Sequence, residues 1–193
     1  LFNVFVTNQA KPSVEYILHK LGLGHLQERK TIHKPSFSGY PDALYVGKYQ
    51  DTLIFKDMDL PFMFFSPELN EQESKFIELF PNSEICSVYL ASGQNYAYSL
   101  IQNGNKIRCK SNQKVSIDMG EHLPEELALQ KQSIISPKEL EEMMLHQTPE
   151  KIEKYKQDEI GYRTAMALTA RYVSKAIDTQ DTLNLPIQWR MFV

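Results

Sequence analysis

Apolar and polar residues alternate most regularly in the middle of the chain, across residues 84–119. Cys86, Val88 and Leu90 fall on one side of a first segment and Tyr96, Tyr98 and Leu100 on one side of a second. Ile107 and Cys109 do so in a third, and Val115, Ile117 and Met119 in a fourth. A period of two is that of a strand with one buried face. Asn103-Gly104 stands between the second and third segments, and both residues tolerate the positive φ of a two-residue hairpin turn. The pattern predicts an antiparallel meander whose outer face carries Arg108, Lys110, Ser116 and Asp118. Cys86 and Cys109 become core-facing free thiols, because an intervening strand holds them too far apart for a disulfide.

Before the meander, residues 2–6 have the β-branched and aromatic content of a strand. Ser13 then caps a helix whose Val14, Ile17, Leu18 and Leu21 recur at helical spacing, with Gly22 as its stop. Residues 24–35 are polar and basic and read as a solvated strand or connection. Residues 44–49 and 51–56 form a hairpin by pattern, although Gln50-Asp51 is not a favoured turn pair. Asn70 and Glu73 make a capping box for a helix with Phe76, Ile77 and Phe80 inward, ended by Pro81.

Beyond Gly120 the period changes to that of helices. Residues 124–131 form a short one, and Ser136-Pro137-Lys138-Glu139 opens a second with Leu140, Met143 and Met144 on one side. Thr148-Pro149 opens a third carrying Ile152, Tyr155, Tyr162, Met166, Val173 and Ile177, with a bend or break expected at Gly161. Residues 185–192, with Trp189, read as a last strand. The expected fold is α+β: an antiparallel sheet of six or more strands with a meander in the middle and helices packed mainly on one face. Residues 1–193 form a single domain by this reading, sheet-rich over 1–132 and helical over 133–193.

Composition narrows the partners. The chain is 42% hydrophobic and 23% charged, the balance of a globular protein. With 21 basic and 24 acidic residues its net charge is −3, so no overall positive field draws it to nucleic acid. No apolar run approaches the roughly 20 residues of a membrane helix, so no membrane partner is expected. The first residues lack the pattern of a secretory signal, and two cysteines without an Asn-x-Ser/Thr acceptor point to a cytoplasmic protein.

Tyr45-Val46-Gly47, Phe80-Pro81, Asn103-Gly104 and the run Asp118-Met119-Gly120-Glu121-His122-Leu123-Pro124-Glu125-Glu126 together resemble a family of uncharacterised bacterial proteins, classed as a domain of unknown function. The resemblance spans residues 45–126. It implies a bacterial, cytoplasmic protein and carries over no reaction and no functional residue. The helical C-terminal portion departs from the shorter members of that family.

Chemical motifs are sparse. The chain has no Gly-x-Ser-x-Gly, His-Glu-x-x-His or Cys-x-x-Cys, and no phosphate-binding loop ending in Gly-Lys-Ser/Thr. Gly22-Leu23-Gly24 begins like a dinucleotide fingerprint but follows a helix and lacks the third glycine, so it reads as a helix stop. The densest segment is Asp118, Glu121 and His122 at the exit of the last meander strand. Such groups can share a metal or act as base and orienter; alternatively they are connectors ahead of a helix whose N-terminus favours Glu125 and Glu126. His19, His25 and His33 lie among Lys20, Arg29, Lys30 and Lys34, which suits a basic edge better than a zinc site. Tyr45, Tyr49, Tyr89, Tyr96 and Tyr98 read as sheet packing rather than a groove, and the Phe62 to Phe65 cluster as core. Arg163, Arg171 and Lys175 read as the solvent side of a helix.

The resulting expectation is a noncatalytic binding or interaction protein without a cofactor. Its ligand is a protein or a small molecule, met by loops containing Gln94, Asn95, Asp118, Glu121 and His122. The alternative is a metal-assisted hydrolase using Asp118, Glu121 and His122.

Overall fold

A computed structural model describes residues 2–7, 12–33, 35–36, 40–174 and 186–193. Among these residues nine strands form one antiparallel sheet: β1 (Phe2–Thr7), β2 (Glu28–Ile32), β3 (Leu44–Tyr49), β4 (Thr52–Lys56), β5 (Glu84–Ala91), β6 (Asn95–Gln102), β7 (Asn105–Ser111), β8 (Ile117–Gly120) and β9 (Trp189–Phe192). Their spatial order is β2-β9-β3-β4-β1-β5-β6-β7-β8. The meander occupies one half of the sheet, and the last strand of the chain is inserted between β2 and β3 on the other. The helices are α1 (Val14–Lys20), α2 (Glu71–Leu79), α3 (Pro124–Gln130), α4 (Pro137–His146) and α5 (Pro149–Val173), with a 3-10 helix at Leu60–Phe64. The architecture is α+β, and no described helix is long and apolar enough to cross a membrane.

Local signals explain most boundaries. Ser13 accepts a hydrogen bond from Tyr16 N at 3.2 Å, and Asn70 and Glu73 complete their capping box. Asn103 and Gly104 both take positive φ, joining Gln102 to Asn105 by a two-residue turn. Gln50 also adopts a positive φ of 50°, so the β3–β4 hairpin closes through a residue that does not favour it.

Both faces of the sheet are covered, and unequally. The long helix α5, with the short α3 beside it, lies over the face of Phe5, Cys86, Val88, Leu90, Tyr96, Tyr98 and Leu100, where Leu168 and Tyr172 complete the core. On the opposite face α1, α2 and the 3-10 helix bury Val4, Val6, Phe55, Phe64, Phe76, Ile85 and Ile101. Val4-Phe5-Val6 and Leu53-Ile54-Phe55 are continuous apolar runs because their strands are enclosed from both sides. Cys86 and Cys109 are free and buried, on opposite faces of the sheet. Burial pushes their thiols up to about 12 and about 11.

Two helical expectations are corrected. α5 passes through Gly161 without interruption, and the glycine serves a close approach: a Cβ there would overlap the Tyr96 ring. α4 contains no buried residue, and its Met144 and Leu145 are exposed, so this helix does not cover the sheet as its apolar side implied. Ile177, Lys175, Lys34 and Leu185 lie outside the described residues.

Candidate functional site

The predicted segment Asp118, Glu121 and His122 leads out of β8 toward α3. Arg108 and Lys110 do not face solvent as the one-sided sheet pattern suggested. Arg108 is opposite Leu100 and Gly120, on the face beneath α3, and is fully buried. A register shift in the β6–β7 pairing leaves Ile107 as an extra residue just before it. Cys109 turns to the other face, and since helices cover both faces, residues of either parity are buried. Ser116 is exposed, and it lies before β8 rather than in it.

Arg108 organises this corner. Its Nε donates to Glu126 Oε1 and Oε2 at 3.2 and 3.0 Å, and its Nη2 to Glu126 Oε1 at 2.8 Å. Nη1 reaches Asp118 Oδ1 at 2.6 Å and the carbonyls of Met119 and Gly120 at 3.0 and 3.3 Å. Glu126, also fully buried, accepts further hydrogen bonds from Leu123 N at 2.8 Å and from the Tyr98 hydroxyl. His122 Nδ1 lies 3.3 Å from its Oε2. Lys110 stands 3.6 Å from Asp118 and 4.0 Å from Glu126. Arg108 and Lys110 thus balance Asp118 and Glu126.

The charge states follow from these contacts. Burial raises the Glu126 carboxyl, but Arg108, Tyr98 and the Leu123 amide together outweigh it and hold the group below its ordinary value. At Asp118 burial likewise raises the carboxyl, and Arg108 and Lys110 outweigh it and hold the group below its ordinary value. Burial and the Glu126 charge push the Tyr98 hydroxyl far up, so it remains a donor. Glu126 is not a free base, since its oxygens are occupied by the guanidinium, the hydroxyl and the amide. Glu121 is exposed and makes no polar contact among the described residues. The assembly is a clamp that fastens β8 to α3.

Gln94 and Asn95 lie at the other end of β6. Gln94 takes a φ of 59° in the β5–β6 turn and donates from Nε2 to Glu159 at 2.6 Å and to Tyr155 at 3.3 Å. Its carbonyl accepts from Asn112 Nδ2 at 2.9 Å, while Asn95 Nδ2 is spent on Ser92 O at 2.9 Å. Gln94 and Asn95 fasten the hairpin to α5 and to its own turn. The structure does not bring them together with Asp118, Glu121 and His122, because Asn95 pairs with Ala91 whereas Gly120 is level with Leu100 near the opposite end.

Among the described residues, no group of three His, Cys, Asp or Glu side chains is placed to hold a metal ion. His25 lines a cleft of 440 Å³ with Asp42, Asp57 and Asp59 above Leu21, Leu44 and Leu60. Asp57 is engaged there, accepting from Asp59 N and Leu60 N at 2.8 and 2.7 Å. Tyr45, Tyr96 and Tyr98 are buried in the core, as sheet packing requires. The phenylalanine cluster divides: Phe64 is fully buried, but Phe62 is 42% exposed and packs its ring 4.8 Å from Tyr89 and 6.0 Å from Phe65.

Phe62 and Phe65 line a second cleft, of 360 Å³, with Ser111, Gln113, Lys114, Val115 and Ile117. This cleft lies against the end of the sheet formed by β8. Gln113 Nε2 is buried there with no acceptor among the described residues, and Val115 is 72% exposed.

Two lysines with buried side chains, Lys56 and Lys106, carry no sequence motif. Lys56, whose ammonium is pushed down to about 8 by burial, sits directly opposite Asn3, whose buried amide has no hydrogen-bond partner among the described residues. The signal available for Lys56 was the apolar run before it, which marks a strand enclosed on both faces. Lys106 is buried against Glu73 at 2.6 Å and donates to the carbonyls of Ser66 and Glu68 at 2.7 and 3.1 Å. Comparison of the chain with protein-family models, with curated proteins and with solved structures gives no match.

Proposed function

We propose that this is a noncatalytic binding or interaction protein whose ligand is a protein or a small molecule rather than nucleic acid. The observation behind this reading is the use of the ionisable groups. Glu126 is held ionised with both oxygens engaged, and Asp118 is held ionised by Arg108 through Oδ1, so among the described residues no activated base or nucleophile stands beside His122. The net charge of −3 speaks against a phosphate backbone as partner. Two buried thiols on opposite faces of the sheet support a reducing, cytoplasmic setting, and the resemblance over residues 45–126 supports a bacterial one.

The test compares wild type with His122→Ala and Asp118→Asn. Metal content is measured on untreated protein, and hydrolysis of nitrophenyl esters and phosphates is assayed with and without added magnesium, manganese or zinc. The expected result is no turnover that depends on either residue. A stoichiometric intrinsic metal, or turnover lost in a folded His122→Ala variant, would establish the metal-assisted hydrolase instead.

A further inference from the structure

We propose that the free edge of β8, with the aromatic cleft beside it, accepts an extended apolar segment of a partner polypeptide as an additional strand. The proposal rests on the reading of this chain as an interaction protein and names the surface and the class of partner. Among the described residues β8 is the last strand of the sheet and is paired only with β7. A sheet edge presents unpaired N–H and C=O groups at the spacing of another extended chain, which a small molecule or a helix cannot match.

The two edges of this sheet are guarded differently. β2 carries exposed Glu28, Arg29 and Lys30 and an irregular register between Glu28 and Lys30, all of which discourage pairing. β8 has one charged residue, Asp118, and that side chain is drawn back to Arg108 and Lys110. A four-residue edge strand would ordinarily fray, but Arg108 grips the carbonyls of Met119 and Gly120 at one end of it. The half nearer Ile117 is left open and held in place, a preorganised template.

The cleft specifies what such a strand should carry. Ile117 is opposite Ser111, and both line the cleft with Phe62 and Phe65. Alternate side chains of an added strand would therefore fall on this aromatic floor, which favours apolar residues at every second position. Gln113 lines the cleft, and its Nε2 is buried with no acceptor among the described residues; turned outward, the amide would donate to a carbonyl or carboxylate of the incoming segment. Lys114, at the rim, forms no ion pair among the described residues, so the segment is expected to include an acidic residue.

The experiment uses the full chain and a displayed library of short linear peptides. The expected enrichment is for alternating apolar residues with an Asp or Glu. A synthetic peptide of the enriched sequence is then titrated by fluorescence anisotropy, beside a copy N-methylated at alternate residues. Val115→Asp, at a position 72% exposed and outside the core, is expected to fold as wild type by circular dichroism and to weaken binding by roughly tenfold or more, and Lys114→Glu should weaken only the acid-containing peptide. Loss of binding on N-methylation would show that the main-chain ladder supplies the affinity. Binding that survives N-methylation, enrichment equal on Val115→Asp and wild type, or self-association by sedimentation that Val115→Asp abolishes would each overturn the proposal. Failure here with a silent hydrolase assay leaves the interaction reading standing, whereas turnover dependent on His122 would end that reading itself.

Discussion

Arg108 is worth most where it cannot be replaced singly. Removing one partner of a buried ion pair strands the other charge, at a cost of about 3–5 kcal/mol, while replacing both with apolar groups costs much less. Arg108→Met is therefore expected to destabilise by about that amount in urea unfolding, and the joint replacement Arg108→Met with Glu126→Leu by clearly less. The folded-state pKa of Glu126 lies below the ordinary 4.5, so the clamp contributes fully above that pH and is lost as pH falls through the depressed value. The stabilities of wild type and Arg108→Met should accordingly converge in acid; a constant difference from pH 7 to pH 3 would refute this account of the clamp. The sequence marked Asp118 and His122 as chemically dense but did not show Glu126 as their anchor. A helix-start glutamate is ordinarily assigned to the helix dipole, and only the tertiary meeting of β7 with α3 turns this one into a counter-ion.

Elements were legible where a local rule decides them and illegible where a contact does. Ser13, Asn70 with Glu73, and Asn103-Gly104 each satisfy a backbone requirement within a few residues, and each boundary stands where the pattern placed it. Gly161 marked no boundary, because its cause is a tyrosine 65 positions earlier in the chain, seated where a side chain would be. Alanine at an ordinary helix position gains about 1 kcal/mol over glycine, whereas forcing a methyl into a packed core costs about 1–3 kcal/mol. Gly161→Ala should thus lower stability, and the same change made in a Tyr96→Leu background should be neutral or stabilising. A double-mutant cycle by denaturant unfolding measures the coupling; a Gly161→Ala variant more stable than wild type would remove Tyr96 as the reason for the glycine. The amphipathic pattern of α4 misled in the opposite sense, since Met144 is 66% exposed: an apolar stripe states that a partner is suitable, and does not name which surface supplies it.

At the scale of the molecule, the two-sided burial and the position of the last strand were the features least visible along the chain. Alternation within the meander reads as one buried face, and it takes the unbroken apolar runs of β1 and β4 to show that both faces are enclosed. β9 follows the helical portion in sequence yet pairs with β2 on one side and β3 on the other, so the final residues are internal to the sheet. Trp189, Met191 and Phe192 are buried, as is Ile187 just before them. Arg190 bridges Glu28 of β2 at 2.5 Å and Glu15 of α1, and Val193 exchanges two backbone hydrogen bonds with Gln27 at 3.1 and 3.0 Å. Burying four large apolar side chains contributes roughly 6–12 kcal/mol, which is on the scale of a whole domain's stability. Deleting residues 186–193 should therefore abolish cooperative thermal unfolding, not merely release a terminal strand, because β2 would lose its one neighbour among the described strands and β3 would become an unguarded edge over an opened core. Calorimetry and tryptic digestion of the shortened chain provide the measurement. A sharp transition with the meander and β3–β4 resistant to protease would show instead that the half containing β9 docks onto an independently stable unit.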